Sequence, residues 1–286
     1  MADKLSPKQV EEVSHALQCL RGCDASDALG KLTSSLKDST QSAFSSEALQ
    51  SIDAAIAALE QPLEQKPTWS AAKDRGLFFV FEGLDRSGKS TQSKLLTSKL
   101  EKLAPVKWMC FPNRSTAVGT LIDLYLRNMI ELPDETVHQL FSANRWESAL
   151  SIVETLNEGT CVICDRYAFS GVAYSAAKGL DLSWCQAPDV GLPVPDGVFF
   201  LHVDEKVGAS RANFGDERYE NATMQSRVRE EFRQPAIRAG VEWHDVDAAR
   251  EIQVIHEEIV AAVEAIKQAE QENPVRPIQK LWLLNR

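Results

Sequence analysis

The pattern of apolar and polar positions divides the chain into two parts near residue 72. In the first part, apolar residues recur at helical spacing in three runs, over 10–20, 29–36 and 49–59. A polar stretch with two prolines follows and indicates a linker. We therefore predict an N-terminal all-α segment with its linker over residues 1–72 and a second domain over residues 73–286. The first segment holds no cluster of catalytic residue types, so we expect it to serve packing rather than chemistry.

In the second part, short apolar runs alternate with longer amphipathic stretches. The run LFFVFEG at 77–83 has the apolar character of a strand that is buried on both faces. Further strands are predicted at 106–111, 160–164, 197–203 and 241–246, and helices after the first strand and at 115–128, 133–157 and 248–271. This alternation predicts an α/β fold with a mostly parallel sheet covered by helices on both faces.

Composition and charge exclude several other classes of protein. The chain has 286 residues, of which 44% are hydrophobic and 25% charged, as in an ordinary globular protein. Its net charge of −10 argues against a nucleic-acid partner or an anionic membrane surface, and no apolar stretch is long enough to cross a membrane. Because there is no secretory signal and the six cysteines form no recognisable disulfide framework, we expect a cytoplasmic protein, with the nucleus also open.

Two of the cysteines, Cys161 and Cys164, have C-x-x-C spacing, which can indicate a metal or redox site. They lie within an apolar run that is predicted to be a strand, where residues three apart point to opposite faces of the sheet. We therefore expect two buried thiols rather than a pair.

The strongest chemical signal follows the first predicted strand. The segment from Gly83 to Ser90, GLDRSGKS, matches G-x-x-x-x-G-K-[ST] at every fixed position, and a helical pattern follows it. Its backbone N–H groups are expected to cradle phosphate, with Lys89 at the β- and γ-phosphates of ATP and Ser90 at Mg²⁺. GTPases share this loop, but their N-K-x-D segment is absent. The predicted ATP-binding residues are Gly83, Arg86, Ser87, Gly88, Lys89, Ser90 and Thr91.

A second polar group stands where the third predicted strand ends. Asp165 and Arg166 come directly after the apolar run TCVIC. Since ligands bind at the carboxyl ends of parallel strands, Asp165 is placed to hold Mg²⁺ together with Ser90. Arg166 is placed to offset charge during phosphoryl transfer. A surface pair of charges is the other interpretation, which the phosphate loop upstream disfavours.

Transfer to a nucleotide requires a second anion site beside the first. Arg114 follows the second predicted strand, and Phe141 and Arg145 lie four residues apart on one face of a predicted helix. An aromatic ring can stack on a base, and a guanidinium can bind a phosphate or donate to a carbonyl. Taken singly, Phe141 is also consistent with a core residue and Arg145 with a solvated helix charge.

Several segments together resemble one family. FEGLDRSGKSTQS, FPNRST, LFSANRWE, DRYAFSGVAYSAAKG, PDVGLPVPD and ERYE occur in the order and spacing of eukaryotic-type thymidylate kinases. The resemblance begins near Arg75 and does not cover residues 1–72. It implies a P-loop NTPase-type three-layer fold and ATP-dependent phosphorylation of dTMP to dTDP with Mg²⁺, as part of dTTP synthesis. It also implies a homodimer with ATP and dTMP as its small-molecule substrates.

The resemblance also implies roles for individual residues. Asp85 would bind the 3′-hydroxyl of dTMP, and Arg86 would contact the phosphate in transfer. Arg114 and Arg166 would hold the acceptor phosphate. The nucleoside contacts that it implies are stacking of Phe141 on thymine, donation from Arg145 to thymine O4, Ser175 near N3 and Tyr174 close to C2′, with Phe111 and Gly171 in the same dTMP-binding set.

The segment 211–221 resembles the lid of the family, which closes over ATP. The lid residues implied are Arg211, Arg218, Tyr219 and Glu220. Catalysis would rest on Lys89, Arg86, Arg166 and Asp85, without a general base, because the acceptor oxygen is already anionic.

Three other functions stay open on the sequence. A deoxynucleoside kinase would need a carboxylate base, for which Glu82 is the candidate. A kinase for another pyrimidine monophosphate is the second. A non-catalytic nucleotide-binding protein, anchored by the helical segment, is the third.

Overall fold

A computed structural model describes residues 75–203, 217–272 and 278–282. The helices predicted within residues 1–72 and the lid residue Arg211 lie outside the described residues.

The centre of the described part is a sheet of five strands in the order β2-β3-β1-β4-β5, and every pairing in it is parallel. The strands are β1 (Phe78–Gly83), β2 (Val106–Cys110), β3 (Cys161–Asp165), β4 (Gly197–His202) and β5 (Trp243–Asp247). All five predicted strands are confirmed, with ends that shift by up to two residues. Because parallel strands end at the same edge, residues that follow β1, β2 and β3 meet there.

Helices cover both faces of this sheet. They are α1 (Lys89–Leu100), α2 (Ala117–Leu126), α3 (Asp134–Asn157), α4 (Ala168–Ala176), α5 (Leu182–Gln186), α6 (Ala222–Glu231), α7 (Pro235–Arg238) and α8 (Ile252–Glu272), with a 3-10 turn at Ala187–Asp189. The four long helical stretches of the sequence correspond to α1, α2, α3 and α8. None of the described helices is long and apolar enough to span a membrane.

Alternate residues of β1 belong to opposite cores. Phe78 and Val80 pack with residues of α3 and α4 on one face, whereas Phe79 and Phe81 pack with residues of α1 and α8 on the other. All of these rings and side chains are fully buried, which explains why the strand reads as a continuous apolar run. The fold is therefore the predicted three-layer α/β arrangement.

The two cysteines of the third strand follow the same alternation. Cys161 packs with the core of α1 and α8, and Cys164 lies in the core of α3 and α4. Both are free thiols. The predicted placement on opposite faces is confirmed, but only Cys164 is buried, whereas Cys161 is partly exposed.

Residues 278–282 contribute to the core that contains α3 and α4. Leu281 is buried, and its backbone pairs with Leu192 through an N–H···O bond of 2.7 Å. The ring of Trp282 meets that of Phe169 edge-on at 5.6 Å. These contacts fix the tail beside α4, which carries several of the predicted site residues.

Candidate active site

A cavity of about 790 Å³ opens at the carboxyl edge of the sheet. The predicted site residues that line it are Asp85, Arg86, Ser87, Gly88, Lys89, Ser90, Thr91, Phe111, Arg114, Phe141, Arg145, Asp165, Arg166, Gly171, Tyr174, Ser175, Tyr219 and Glu220. Gly83 and Arg218 do not line it. The phosphate loop and the aromatic-arginine group of α3 therefore share one crevice.

The loop between β1 and α1 owes its shape to unusual backbone angles. Gly83 has φ of 141°, and a Cβ there would stand 2.3 Å from the carbonyl oxygen of Leu201, so the position requires glycine. Arg86 has φ of 61° and Gly88 of 97°. A non-glycine residue in the left-handed region is strained, and such strain concentrates at functional sites. The loop leads directly into the N-terminus of α1, the polarity that favours anions.

Lys89 is almost fully buried at the start of α1, with 5% of its surface exposed. Its ammonium donates to the carbonyl oxygen of Leu84 at 2.5 Å and lies 3.4 Å from the hydroxyl of Ser87. Burial, helped by the nearby Arg166, lowers the pKa of Lys89 to about 8. A poorly hydrated ammonium that faces the loop is well suited to an incoming phosphate.

The predicted metal ligands are neighbours. The hydroxyl of Ser90 donates to a carboxylate oxygen of Asp165. Mg²⁺ prefers oxygen ligands and usually keeps several waters and substrate phosphates around one or two protein ligands. One hydroxyl and one carboxylate beside a phosphate loop fit that description. Among the described residues, there is no cluster of three or more metal-binding side chains that would hold an ion without substrate.

Asp85 is the hub of a polar network between the loop and α4. Its carboxylate accepts from Arg166, from the hydroxyl of Tyr174 at 2.8 Å and from the amide of Gln225 at 2.6 Å. Burial opposes its ionisation, but the charges of Arg166 and Lys89 outweigh burial and hold the pKa of Asp85 below its usual value. The carboxylate is therefore ionised and fixed in place.

Glu82 has a structural task and is not a general base. Its carboxylate accepts from the backbone N–H groups of Tyr167 and Ser170, at 2.9 and 3.0 Å, and from the hydroxyl of Ser170. These N–H groups lie at the N-terminus of α4, where a helix leaves donors without intrahelical partners. Glu82 is fully buried and does not line the cavity. The base that a deoxynucleoside kinase would need is therefore not supplied by Glu82.

Arg145, which also lines the cavity, is held by a buried carboxylate. Its Nε and Nη2 atoms donate to the carboxylate of Asp189 at 3.1 and 2.5 Å, and the pair is buried. The backbone of α4 passes so close at Gly171 that a Cβ there would stand 2.7 Å from Nη2. Phe141 lies one helical turn away on the same face of α3. An aromatic ring and a fixed guanidinium thus line the same cavity.

A buried histidine contacts Ser175, one of the residues that line the cavity. His138 of α3 is fully buried, with Nδ1 2.8 Å from the hydroxyl of Ser175 and Nε2 2.8 Å from the carbonyl oxygen of Cys185. Burial lowers the pKa of His138 to about 4, so the ring is neutral at physiological pH. Ser175 itself reaches the cavity.

The segment that follows the undescribed residues 204–216 meets the cavity through two ion pairs. Arg86 pairs with Glu220 at 2.9 Å, and Arg114 pairs with Glu217 at 2.7 Å. Both arginines are predicted phosphate contacts. Their carboxylate partners occupy positions that a phosphate would compete for.

Arg218, a predicted lid residue, points away from the cavity. Its guanidinium pairs with Glu131 at 2.8 Å and lies 4.1 Å from the centre of the Tyr125 ring. It also donates to the backbone carbonyl oxygens of Tyr125 and Ile130. Arg218 therefore does not line the cavity, and its charge ties the segment to the end of α2 and the loop before α3.

Comparison with known proteins places this site in a family. A family model described as thymidylate kinase matches residues 81–259. The chain belongs to the thymidylate kinase family. Thymidylate kinase from Schizosaccharomyces pombe is 49% identical over 198 residues, which cover 67% of this chain and 93% of that protein. The Homo sapiens thymidylate kinase is 44% identical, over 74% of this chain and 99% of that protein.

A solved structure agrees with the sequence comparison. A thymidylate kinase from Candida albicans superposes with a TM-score of 0.64 at 36% identity and covers 72% of this chain and 98% of that one. The chain is accordingly a nucleoside monophosphate kinase that phosphorylates dTMP with ATP. The other functions left open by the sequence are not favoured.

Sequence reasoning missed part of the thymidylate kinase site. The cavity is also lined by Ala248, Arg250 and Ile252, which follow β5, and is supported by Gln225 and His138 from outside the motifs. The end of a parallel strand could have indicated the first group. The second group carries no local signal, because each residue acts through a partner far away in the sequence.

Proposed function

We propose that the enzyme transfers the γ-phosphoryl group of ATP in line to the phosphate of dTMP, with both nucleotides in the cavity at the carboxyl edge of the sheet. The observation that carries this proposal is the shared lining: the loop 83–90 and the pair Phe141 and Arg145 face one space. Two anion sites in one crevice bring donor and acceptor together without a covalent intermediate.

On the donor side, the backbone N–H groups of the loop and the ammonium of Lys89 would bind the β- and γ-phosphates. Arg86 would leave Glu220 and contact the transferring group, where it offsets charge that builds up on the equatorial oxygens. The adenosine would extend toward the residues after β5, because Arg250 and Ile252 line the cavity beside the loop.

Ser90 and Asp165 would hold Mg²⁺. The ion, when bound, would neutralise negative charge on the phosphates of ATP. The pair of oxygen ligands supports this assignment.

On the acceptor side, Arg114 and Arg166 would bind the phosphate of dTMP. Arg166 already bridges the two sides, because it bonds Asp85 and the carbonyl oxygen of Gly83. Asp85 would accept from the 3′-hydroxyl of the sugar. Tyr174 donates to the same carboxylate and would crowd C2′, which disfavours a ribonucleotide.

The base would stack on Phe141, with Phe111 and Gly171 beside it. Arg145 would donate to thymine O4. Cytosine presents an amino group at that position, so two donors would face each other there and cytosine would be rejected. The anchoring of Arg145 by Asp189 supports this role, since a fixed donor cannot turn to suit the wrong base.

Other features of the sequence stay predictions. The division into a 1–72 segment and a 73–286 kinase domain is supported by the family match, which begins at residue 81. A homodimer, a cytoplasmic location and the lid function of the segment around Tyr219 and Glu220 rest on the family resemblance.

A coupled ADP-release assay tests the proposed function directly. The full chain would be supplied with ATP and, in turn, dTMP, dUMP, UMP, dCMP and thymidine. We expect ADP release that depends on dTMP, weaker release with dUMP, and little with the others. Release with thymidine that equals release with dTMP would overturn the monophosphate assignment, and release with no acceptor would indicate an ATPase.

A further inference from the structure

The two hydrogen bonds of the His138 ring, to Ser175 and to Cys185, have a defined direction. Nε2 of His138 lies 2.8 Å from the carbonyl oxygen of Cys185, and a carbonyl oxygen only accepts. Nε2 therefore carries the ring proton. Nδ1 is then an acceptor, so the hydroxyl of Ser175, 2.8 Å away, must donate to it.

Nothing nearby reverses this direction at neutral pH. His138 is fully buried and holds a single proton, since burial lowers its pKa to about 4. The charge of Asp189 favours a second proton on the ring, but this carboxylate is paired with Arg145. Among the residues that the structure describes, the Ser175 hydroxyl has no second hydrogen-bond partner.

A serine hydroxyl has one hydrogen and two lone pairs. With the hydrogen directed at His138, only lone pairs remain for whatever fills the cavity. The serine therefore faces the ligand as an acceptor, although its residue type allows both roles.

We propose that His138 is a positioning residue for base selection: it holds Ser175 as a hydrogen-bond acceptor, so that the site reads the N3–H donor of thymine and rejects the N3 lone pair of cytosine. This inference rests on the proposed placement of dTMP, with Ser175 near N3.

Arg145 and Ser175 would then form a matched pair. The guanidinium only donates and meets the O4 acceptor, while the oriented hydroxyl only accepts and meets the N3 donor. Cytosine carries the opposite pattern at both positions. Without His138, the Ser175 hydroxyl could rotate and donate to cytosine N3, and one of the two barriers to cytosine would be lost.

The test compares dTMP with 5-methyl-dCMP, which keep the same sugar and methyl group and differ only at positions 3 and 4. The kcat/KM ratio of the two is measured for the full chain and its variants, by inhibition against dTMP where turnover is too slow. His138→Leu removes the acceptor that faces Ser175. His138→Asn keeps an oxygen near the position of Nδ1. Like His138→Leu, it loses the hydrogen bond to the carbonyl oxygen of Cys185. His138→Gln keeps that bond and serves if the leucine variant does not fold.

We expect the dTMP preference to fall by about tenfold in His138→Leu and His138→Gln, the effect of one misplaced polar contact, and to stay within about threefold of the wild type in His138→Asn. Ser175→Ala should lower the preference likewise, and adding His138→Leu to it should change nothing further. A merely structural role would slow both substrates alike and leave the ratio unmoved.

Two results would overturn the proposal: an unchanged ratio in both acceptor-removing variants, or an equal fall in His138→Asn. These results differ from a failure of the proposed function, which would show as no dTMP-dependent ADP release by the wild type.

Discussion

At the scale of single residues, the site depends on a few positions where only one residue type fits. Position 83 requires glycine, because a Cβ there would clash with the carbonyl oxygen of Leu201. Arg86 and Arg166 have positive φ angles of 61° and 67°. Strained arginines persist only where the surrounding contacts fix them. Here those contacts are the ion pairs with Glu220 and Asp85.

Replacing Lys89 by alanine should abolish most activity. The ammonium is the buried cation of the phosphate loop, and loss of one such charge-stabilising donor costs about 100-fold or more in kcat. Steady-state kinetics would show the loss, while the thermal midpoint should change little. Lys102→Ala, at an exposed position beyond α1, is the control and should retain wild-type kcat. Normal turnover in Lys89→Ala would contradict the role of the loop.

Gly171→Ala should weaken dTMP binding without weakening the fold. Alanine favours a helix over glycine by about 1 kcal/mol, so α4 itself should gain. The new Cβ would stand 2.7 Å from Nη2 and 2.9 Å from Nη1 of Arg145, whose position Asp189 fixes. Displacement of that guanidinium should raise the KM for dTMP by about tenfold or more.

The KM for ATP is the internal control for Gly171→Ala, because Gly171 and Arg145 belong to the proposed dTMP site and not to the loop 83–90. Equal changes in both KM values would indicate general damage. No change in either would show that Arg145 does not approach the base.

At the scale of elements, α3 and α4 together form the proposed acceptor site, and His138 joins the two helices. The ring links α3 to Ser175 of α4 and to Cys185 of α5. A neutral buried histidine makes this junction sensitive to acid.

Stability should therefore fall as the pH drops from about 6.5 to about 4. The unfolded chain binds the proton at the ordinary histidine pKa of 6.5, and the folded protein only at about 4. Between pH 4 and pH 6.5 the unfolded state binds more protons than the folded state. The free energy of unfolding is therefore highest above about pH 6.5 and decreases as the pH falls toward about 4. The expected loss is about 3 kcal/mol. Denaturant unfolding at several pH values would measure it.

The His138→Asn variant should lose most of this pH dependence. His202→Asn, at an exposed position that ends β4, is the matched control and should keep it. An unchanged slope in His138→Asn would mean that other groups control acid stability.

The elements also show which parts of the protein can be predicted from its sequence. The strands follow from continuous apolar runs and the long helices from helical spacing of apolar residues, and the phosphate loop is contiguous, so all of them can be predicted from the sequence. The short helices α5 and α7 span about one turn each and are too short to show a period. Arg218 was grouped with the lid residues because of its neighbours in the sequence, whereas its position depends on Glu131 and Tyr125, which lie about ninety residues earlier.

At the scale of the whole molecule, the cavity and the protein carry opposite charge. The chain has a net charge of −10, yet the cavity is lined by the cations Arg86, Lys89, Arg114, Arg145, Arg166 and Arg250 and by the carboxylates Asp85, Asp165, Glu217 and Glu220. The excess of cations lies in the cavity in which we propose that the nucleotide phosphates bind. An overall acidic protein can thus serve anionic substrates.

The measurement that tests the account most directly is inhibition by a bisubstrate compound, adenosine joined to thymidine through a polyphosphate bridge. If donor and acceptor sites share the cavity, one molecule should bind per chain and compete with both ATP and dTMP. Its binding should also be much tighter than that of either nucleotide. The two halves are linked, so translational and rotational entropy is lost once instead of twice. Competition with only one substrate, or two molecules bound per chain, would show that the two sites are separate and would contradict direct transfer between them.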